Sequence, residues 1–399
     1  MLAIQRVMDS GYLSLFEGSH TPDHPFSFRG GPEVQSLELE WSTHYGVKHS
    51  IAMNSATSGL FAAIGALGIG YGDEVIVSPY TMTACALAPL IYGAIPVFAD
   101  VDPETGSLNP ASIAERISPH TKAVLVVHQF GIPADMDAIL AITRPRGIRV
   151  IEDCAQAHGA RYKGRSVGSI GDIGVFSLNV NKTIQVGEGG VCVTNDDDLA
   201  YRLQLIRNHG EAVVGPAEYS DITNIAGFNY RLTEIAAAIA RVQLERLPQL
   251  NLRRLELVDH LYRGLVAIPG LEMLRQDYGS ADSLSTYYVA PLKFTGHGAT
   301  RNEVAEAFLA EGVPFGRGYV KPLYLQPLYQ RKHLFRNGYP FSAPPNVGLR
   351  QEYGQGICPV AEQLHCCEVL INEHVRPPQT EADVDDILKA AFKIFGNGD

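Results

Sequence analysis

Two residues of this chain are of the types that can bind a carbonyl and hold a proton beside it. Asp153 ends the apolar part of Val150-Ile-Glu-Asp-Cys-Ala-Gln-Ala-His158, at the carboxyl end of a strand-like run. Lys182 follows in Phe176-Ser-Leu-Asn-Val-Asn-Lys-Thr-Ile-Gln-Val-Gly-Glu-Gly-Gly190, a segment otherwise almost free of charge. Most lysines are solvated surface charges. One held in apolar surroundings gives up its proton more readily and can attack a carbonyl. A lysine for a Schiff base and an acid for a pyridine nitrogen are what pyridoxal phosphate chemistry needs, and that is the working expectation. Taken singly, Asp153 also reads as a loop cap or salt-bridge member.

A phosphate would need its own site. Asn54-Ser-Ala-Thr-Ser-Gly59 lies between a strand and a helix, where backbone N–H groups and hydroxyls make an anion site. Taken alone, the stretch reads more readily as a plain N-cap, since strand-to-helix caps of this composition are common. Beside any functional reading, Gly187, Gly189 and Gly190 also read simply as a turn into the strand Val191-Cys-Val-Thr194, and His128 and His158 as paired core or supporting histidines. No His, Cys and Asp set has metal-ligand spacing, so no metal is expected. Neither a P-loop, a G-x-G-x-x-G fingerprint nor a G-x-S-x-G elbow occurs in its required context.

The elements that must position these residues alternate. Strands are expected at His49–Asn54, Glu74–Val77, Pro96–Asp100, Ala123–Val127 and Arg149–Asp153. Helices fall between them at Leu60–Leu67, Ala84–Ile91, Pro110–Arg116 and Asp135–Leu140. This rhythm predicts a largely parallel sheet covered on both faces, with ligands outside the carboxyl ends of the strands. Asn54, Asp100, His128 and Asp153 all fall at such ends. An alanine-rich helix from Leu232 to Arg246 is expected to break at Pro248 and resume over Leu252–Tyr262. Beyond about 250 the alternation loosens into a smaller α+β unit: a strand at Tyr287–Phe294, a helix at Arg301–Ala310 and a closing helix at Glu381–Phe392. The expected division is an N-terminal arm over 1–30, a large domain over 31–249 and a small one over 250–399.

Composition sets outer bounds. A chain of 399 residues with 46% hydrophobic and 19% charged residues is that of an ordinary globular protein of two domains. A formal net charge of −11 argues against nucleic acid and anionic membranes as partners. The six cysteines include no CxxC pair, which fits a reduced, cytoplasmic setting. Neither a signal-peptide core nor an apolar run long enough to cross a bilayer is visible.

In this order the motifs resemble the DegT/DnrJ/EryC1/StrS aminotransferases, a family of fold type I. The resemblance rests on Gly46-Val-Lys-His, Asn54-Ser-Ala-Thr-Ser, Gly72-Asp-Glu-Val-Ile-Val77, Asp100-Val-Asp-Pro103, Pro133-Ala-Asp-Met-Asp137, Glu152-Asp-Cys-Ala-Gln-Ala-His-Gly159, Gly187-Glu-Gly-Gly190, Gly227-Phe-Asn-Tyr-Arg-Leu232 and Cys358-Pro-Val-Ala-Glu362. It implies a mostly parallel, seven-stranded-type sheet between helices, with a smaller C-terminal α+β domain. It further implies pyridoxal 5′-phosphate as cofactor, with the pyridoxamine form as intermediate. By resemblance, Lys182 forms the Schiff base and shuttles the proton, and Asp153 pairs with the pyridinium. Gln156 lies near the ring; Ala56, Thr57 and Ser177 hold the phosphate. Asn229, with Arg231 next in line, reaches the phosphate from a second subunit of a homodimer with shared sites. Arg317, Tyr319 and Lys321 are the acceptor contacts it suggests.

The chain also departs from the family's pattern. Tyr80-Thr-Met82 puts Met82 where an aromatic residue usually stacks on the cofactor ring, with Tyr80 as the substitute. Ser177-Leu-Asn-Val-Asn181 and Leu370-Ile-Asn-Glu-His-Val-Arg-Pro377 differ from the commoner patterns, which points to an unusual acceptor. The expected reaction moves an amino group from glutamate or glutamine to a keto group on a nucleotide-linked sugar. The alternatives are a keto-cyclitol acceptor such as scyllo-inosose, a dehydratase or aromatase of the same fold, and a non-catalytic regulator. Lys182 speaks against the pyridoxamine-dependent dehydratase branch, which has histidine there.

Overall fold

The computed structural model describes residues 2–19, 26–276, 278–296 and 298–396; part of the expected N-terminal arm, residues 1 and 20–25, lies outside them. Short apolar runs, buried on both faces, build a seven-stranded sheet. Its strands are β1 (His49–Met53), β2 (Glu74–Val77), β3 (Ile95–Phe98), β4 (Thr121–Val127), β5 (Arg149–Asp153), β8 (Ile173–Ser177) and β9 (Gly190–Thr194), with a short hairpin, β6 (Arg161–Tyr162) and β7 (Arg165–Ser166), inserted before β8. The order is β1-β9-β8-β5-β4-β2-β3. All neighbours pair in parallel except β9, which runs antiparallel to both β1 and β8. The carboxyl ends of β1, β8 and β5 therefore share one edge, and the start of β9 joins them there.

Helices cover the sheet: α2 (Pro32–Tyr45), α3 (Ala56–Ala66), α4 (Ala84–Ile91), α5 (Pro110–Arg116), α6 (Met136–Thr143), α7 (Asp197–Arg207) and the first part of α8 (Glu234–Leu265), on which α1 (Leu2–Ser10) packs from outside. α3 starts at Ala56 rather than Leu60, because Ser55 caps it and accepts the Ser58 amide. α8 runs unbroken through Pro248, against the expected interruption. A proline removes one helical bond, but here Leu244 and Leu247 on one side are buried against α2 and the sheet. On the other side Asn251 donates to the His158 carbonyl at 2.7 Å, so packing holds both halves in line.

Past α8 lies a second sheet of β10 (Leu271–Met273), β11 (Ala290–Phe294), β13 (Val369–Asn372) and β12 (Gly316–Arg317), antiparallel throughout. It shares an apolar core with the end of α8, with α9 (Arg301–Ala310) and with the closing helix Glu381–Phe395. The chain between β12 and β13 returns to the large sheet, where Leu323, Tyr324, Tyr329 and Tyr353 join its core. No helix among the described residues is long and apolar enough to cross a membrane.

Candidate active site

Asp153 is buried at the end of β5, as its place after an apolar run predicts. Its Oδ1 accepts the Ala155 amide at 2.9 Å, and its Oδ2 accepts the Cys85 thiol at 3.1 Å. Gln156, in the turn after β5, is fixed at both ends of its amide. Its Oε1 accepts the Phe130 N–H at 2.7 Å, and its Nε2 donates to the Tyr319 hydroxyl at 2.9 Å. The Tyr319 amide in turn donates to the Tyr80 hydroxyl at 3.0 Å, so Gln156 and two tyrosines form one connected network beside the acid.

Lys182 sits on the connection between β8 and β9. That loop is closed on itself: the Leu178 amide donates to the Gly189 carbonyl at 2.8 Å, the Val186 amide to the Leu178 carbonyl at 3.0 Å, and Asn179 Nδ2 to Glu188 Oε1 at 3.0 Å. Among the described residues the Lys182 amine has no ion pair, and it lies 4.5 Å from the centre of the Tyr288 ring. Burial lowers its pKa from the ordinary lysine value, and the Asp153 charge only partly opposes this. Two guanidinium groups flank the same loop. Arg254, 4% exposed on α8, donates to Thr183 Oγ1 at 2.9 Å and to the Tyr287 carbonyl at 3.3 Å, while its Nε has no partner. Arg376 donates to the Asn181 carbonyl at 3.4 Å. Burial, and then the Arg376 charge, bring Arg254 down to about 10. Neither arginine has a carboxylate partner among the described residues.

The third component is a candidate anion cradle. Gly190 pairs with Ser177 of β8 on one side and with Met53 of β1 on the other. A Cβ on Gly190 would stand 2.6 Å from the Ala56 amide nitrogen, so only glycine lets β9 approach the start of α3 this closely. Ser177, Ala56 and Thr57 are thereby gathered at one helix N-terminus, whose first amides favour an anion. Adjacent strands lie about 4.8 Å apart, which puts Asp153 one strand from Ser177. In its own chain the Asn54 amide donates to the Tyr230 carbonyl at 2.8 Å, and Asn54 Nδ2 donates to the Asn229 carbonyl at 3.2 Å. The Asn229 Oδ1 accepts from Arg231 Nε at 2.8 Å.

Other expected residues fall elsewhere. Tyr80 is fully buried, edge-on to Phe130 and Tyr319, whereas Met82 is 54% exposed. Arg317 is exposed and ion-paired to Glu306 at 3.1 Å, and Lys321 is exposed; Tyr319 alone of the three suggested acceptor contacts bonds to the network beside Asp153. Asp100, at a strand end, accepts the Val360 and Ala361 amides at 2.9 Å and so caps the helix Pro359–Gln363. The two histidines do not pair. His128 accepts the Ala134 amide on Nδ1 and donates from Nε2 to Glu152 at 2.9 Å. His158 packs against Trp41 and Phe176.

His128, Glu152 and Cys154 do come within 4.8 Å of one another, a grouping their spacing does not suggest. Glu152 already accepts bonds from His128 and from the amides of Gly168, Ile170 and Gly171. Burial works to raise its pKa, but these bonds outweigh it and hold Glu152 below the usual carboxylate range. The cluster braces the turn behind Asp153. Sequence reasoning does not single out Cys85, Tyr288, Arg254 or Arg376; the departure from the family's usual residues at Val375-Arg-Pro377 is the one available signal.

This donor set fits a pyridine aldehyde phosphate: an amine without an ion pair among the described residues, an acid at the neighbouring strand end, and a cradle that a single Cβ would fill. The family model described as the DegT/DnrJ/EryC1/StrS aminotransferase family matches residues 24–344. The spore coat polysaccharide biosynthesis protein SpsC of Bacillus subtilis (strain 168) is 33% identical over 377 residues, covering 92% of this chain and 91% of that protein. The dTDP-3-amino-3,4,6-trideoxy-alpha-D-glucose transaminase of Streptomyces venezuelae is 32% identical, covering 98% of this chain and 92% of that protein. Among solved structures, the aminotransferase from Psychrobacter cryohalolentis matches with a TM-score of 0.83 at 32% identity, over 99% of this chain and 96% of that one.

Proposed function

As the chain belongs to the DegT/DnrJ/EryC1/StrS aminotransferase family, we propose that it binds pyridoxal 5′-phosphate at Lys182 and moves an amino group from glutamate or glutamine to a keto group of a nucleotide-linked sugar. The observation that carries this reading is the Lys182 amine, half-buried, without an ion pair among the described residues and with its pKa lowered. An amine that gives up its proton more readily is more available to a carbonyl. The cofactor, when bound, supplies the carbonyl that accepts the amino group and a ring that takes up charge when a proton leaves the substrate carbon.

The chain's own residues do the rest. Asp153 would hold a proton on the pyridine nitrogen, and Lys182 would carry the proton to and from the substrate carbon. Ser177, Thr57 and the Ala56 amide would hold the phosphate. Gln156, pinned by Phe130 and Tyr319, would orient the ring from its edge. Met82 would cover the ring, since Tyr80 is committed to the core. Arg254 and Arg376 would receive the donor's carboxylate beside Lys182. A homodimer completes the proposal, with Asn229 offered to the phosphate site of a second copy.

The test is a panel of keto-sugar nucleotides and keto-cyclitols added to protein loaded with cofactor and glutamate. Visible absorbance should bleach with the donor and return with the right acceptor. Absorbance that never responds to glutamate or glutamine would falsify the transamination reading. A light-scattering mass of one chain would remove the shared-site part.

A further inference from the structure

Cys85 lies near the start of α4, fully buried, with its sulfur 3.1 Å from Asp153 Oδ2 and 3.9 Å from Thr81 Oγ1. A buried cysteine usually acts as a small apolar filler. This one instead aims its polar atom at the acid of the site, across from a helix to the end of β5. We propose that Cys85 is a positioning residue for Asp153, its thiol fixing the carboxylate so that a remaining lone pair faces the pyridine nitrogen. The proposal rests on the cofactor reading above.

The geometry explains why a thiol suits this place. Asp153 receives one donor on each oxygen, the Ala155 amide on Oδ1 and the thiol on Oδ2. Each carboxylate oxygen can accept more than one bond, so both contacts orient the group and leave room for a third. The S–H group is a weak donor, and so takes little of the carboxylate's affinity for a pyridinium proton. A hydroxyl would bind more tightly and weaken that affinity; a methyl would leave the carboxylate loose. Burial, then the Asp153 charge, push the thiol well above its usual value, so it remains a donor.

Cys85→Ala and Cys85→Ser separate this role from plain packing. Cofactor affinity is measured by titration, and the pH dependence of the bound cofactor's visible band is recorded beside the thermal melt. Cys85→Ala should bind the cofactor about five- to tenfold more weakly, from the loss of one bond made by a weak thiol donor. Cys85→Ser should recover most of that affinity while shifting the pH midpoint of the band. If both variants match wild type in affinity and midpoint, Cys85 is only a filler and the proposal is overturned. Wild-type protein that takes up no cofactor overturns the cofactor reading itself, and this role with it.

Discussion

Gly190 and Ala56 meet so closely that no side chain fits between them: a Cβ on Gly190 would lie 2.6 Å from the Ala56 nitrogen. That approach joins the start of the one reversed strand to the N-terminus of α3, beside Ser177. Gly190→Ala should therefore open the cradle. The expected cost is about 1–3 kcal/mol of stability, as for other overpacked sites. Cofactor retention should fall with it, and equilibrium denaturation with a cofactor titration checks both.

Lys182→Ala should abolish the visible band that appears on adding pyridoxal phosphate, together with all turnover. Spectra and a coupled amino-transfer assay read the two results separately. Turnover retained in this variant sinks the assignment of Lys182. Asp153→Asn removes the charge at the same shape and should lower kcat/KM by about ten- to a hundredfold, the worth of a hydrogen bond to a charged group.

Arg376→Gln should raise the KM for the amino donor about tenfold while leaving the acceptor's KM nearly unchanged. Steady-state kinetics with each substrate varied in turn distinguishes this from a general loss. An equal effect on both substrates would show that Arg376 does not hold the donor.

His158 carries a pH prediction. Burial, then the Lys182 charge, hold its folded-state pKa at about 3, below the ordinary 6.5. The unfolded chain therefore takes up this proton first as pH falls. The stabilising contribution is complete above 6.5 and is lost as pH falls toward 3, at roughly 1.4 kcal/mol per unit. Between about pH 7 and pH 5 wild type should lose about 2 kcal/mol relative to His158→Leu. Urea denaturation of both proteins at the two pH values measures the difference.

Much of the frame was legible in the linear chain. Asp153 could be placed because a parallel sheet forces its strands to be short and apolar, and an acid at the carboxyl end of such a strand lies at the edge where ligands bind in these sheets. Lys182 stood out because a charge in an uncharged segment contradicts ordinary solvation. Most helix positions followed from a period of about 3.6 and most strand positions from short apolar runs, both of which are local features of the chain. What only the tertiary structure decided involves residues far apart in sequence. The Cys85 thiol on Asp153, the Gln156 amide on Tyr319, and Arg254 and Arg376 at the lysine loop have no local signature, because each contact depends on how separate elements pack. The unbroken course of α8 through Pro248 has the same cause: a local rule for ending a helix was outweighed by burial on both sides of the proline.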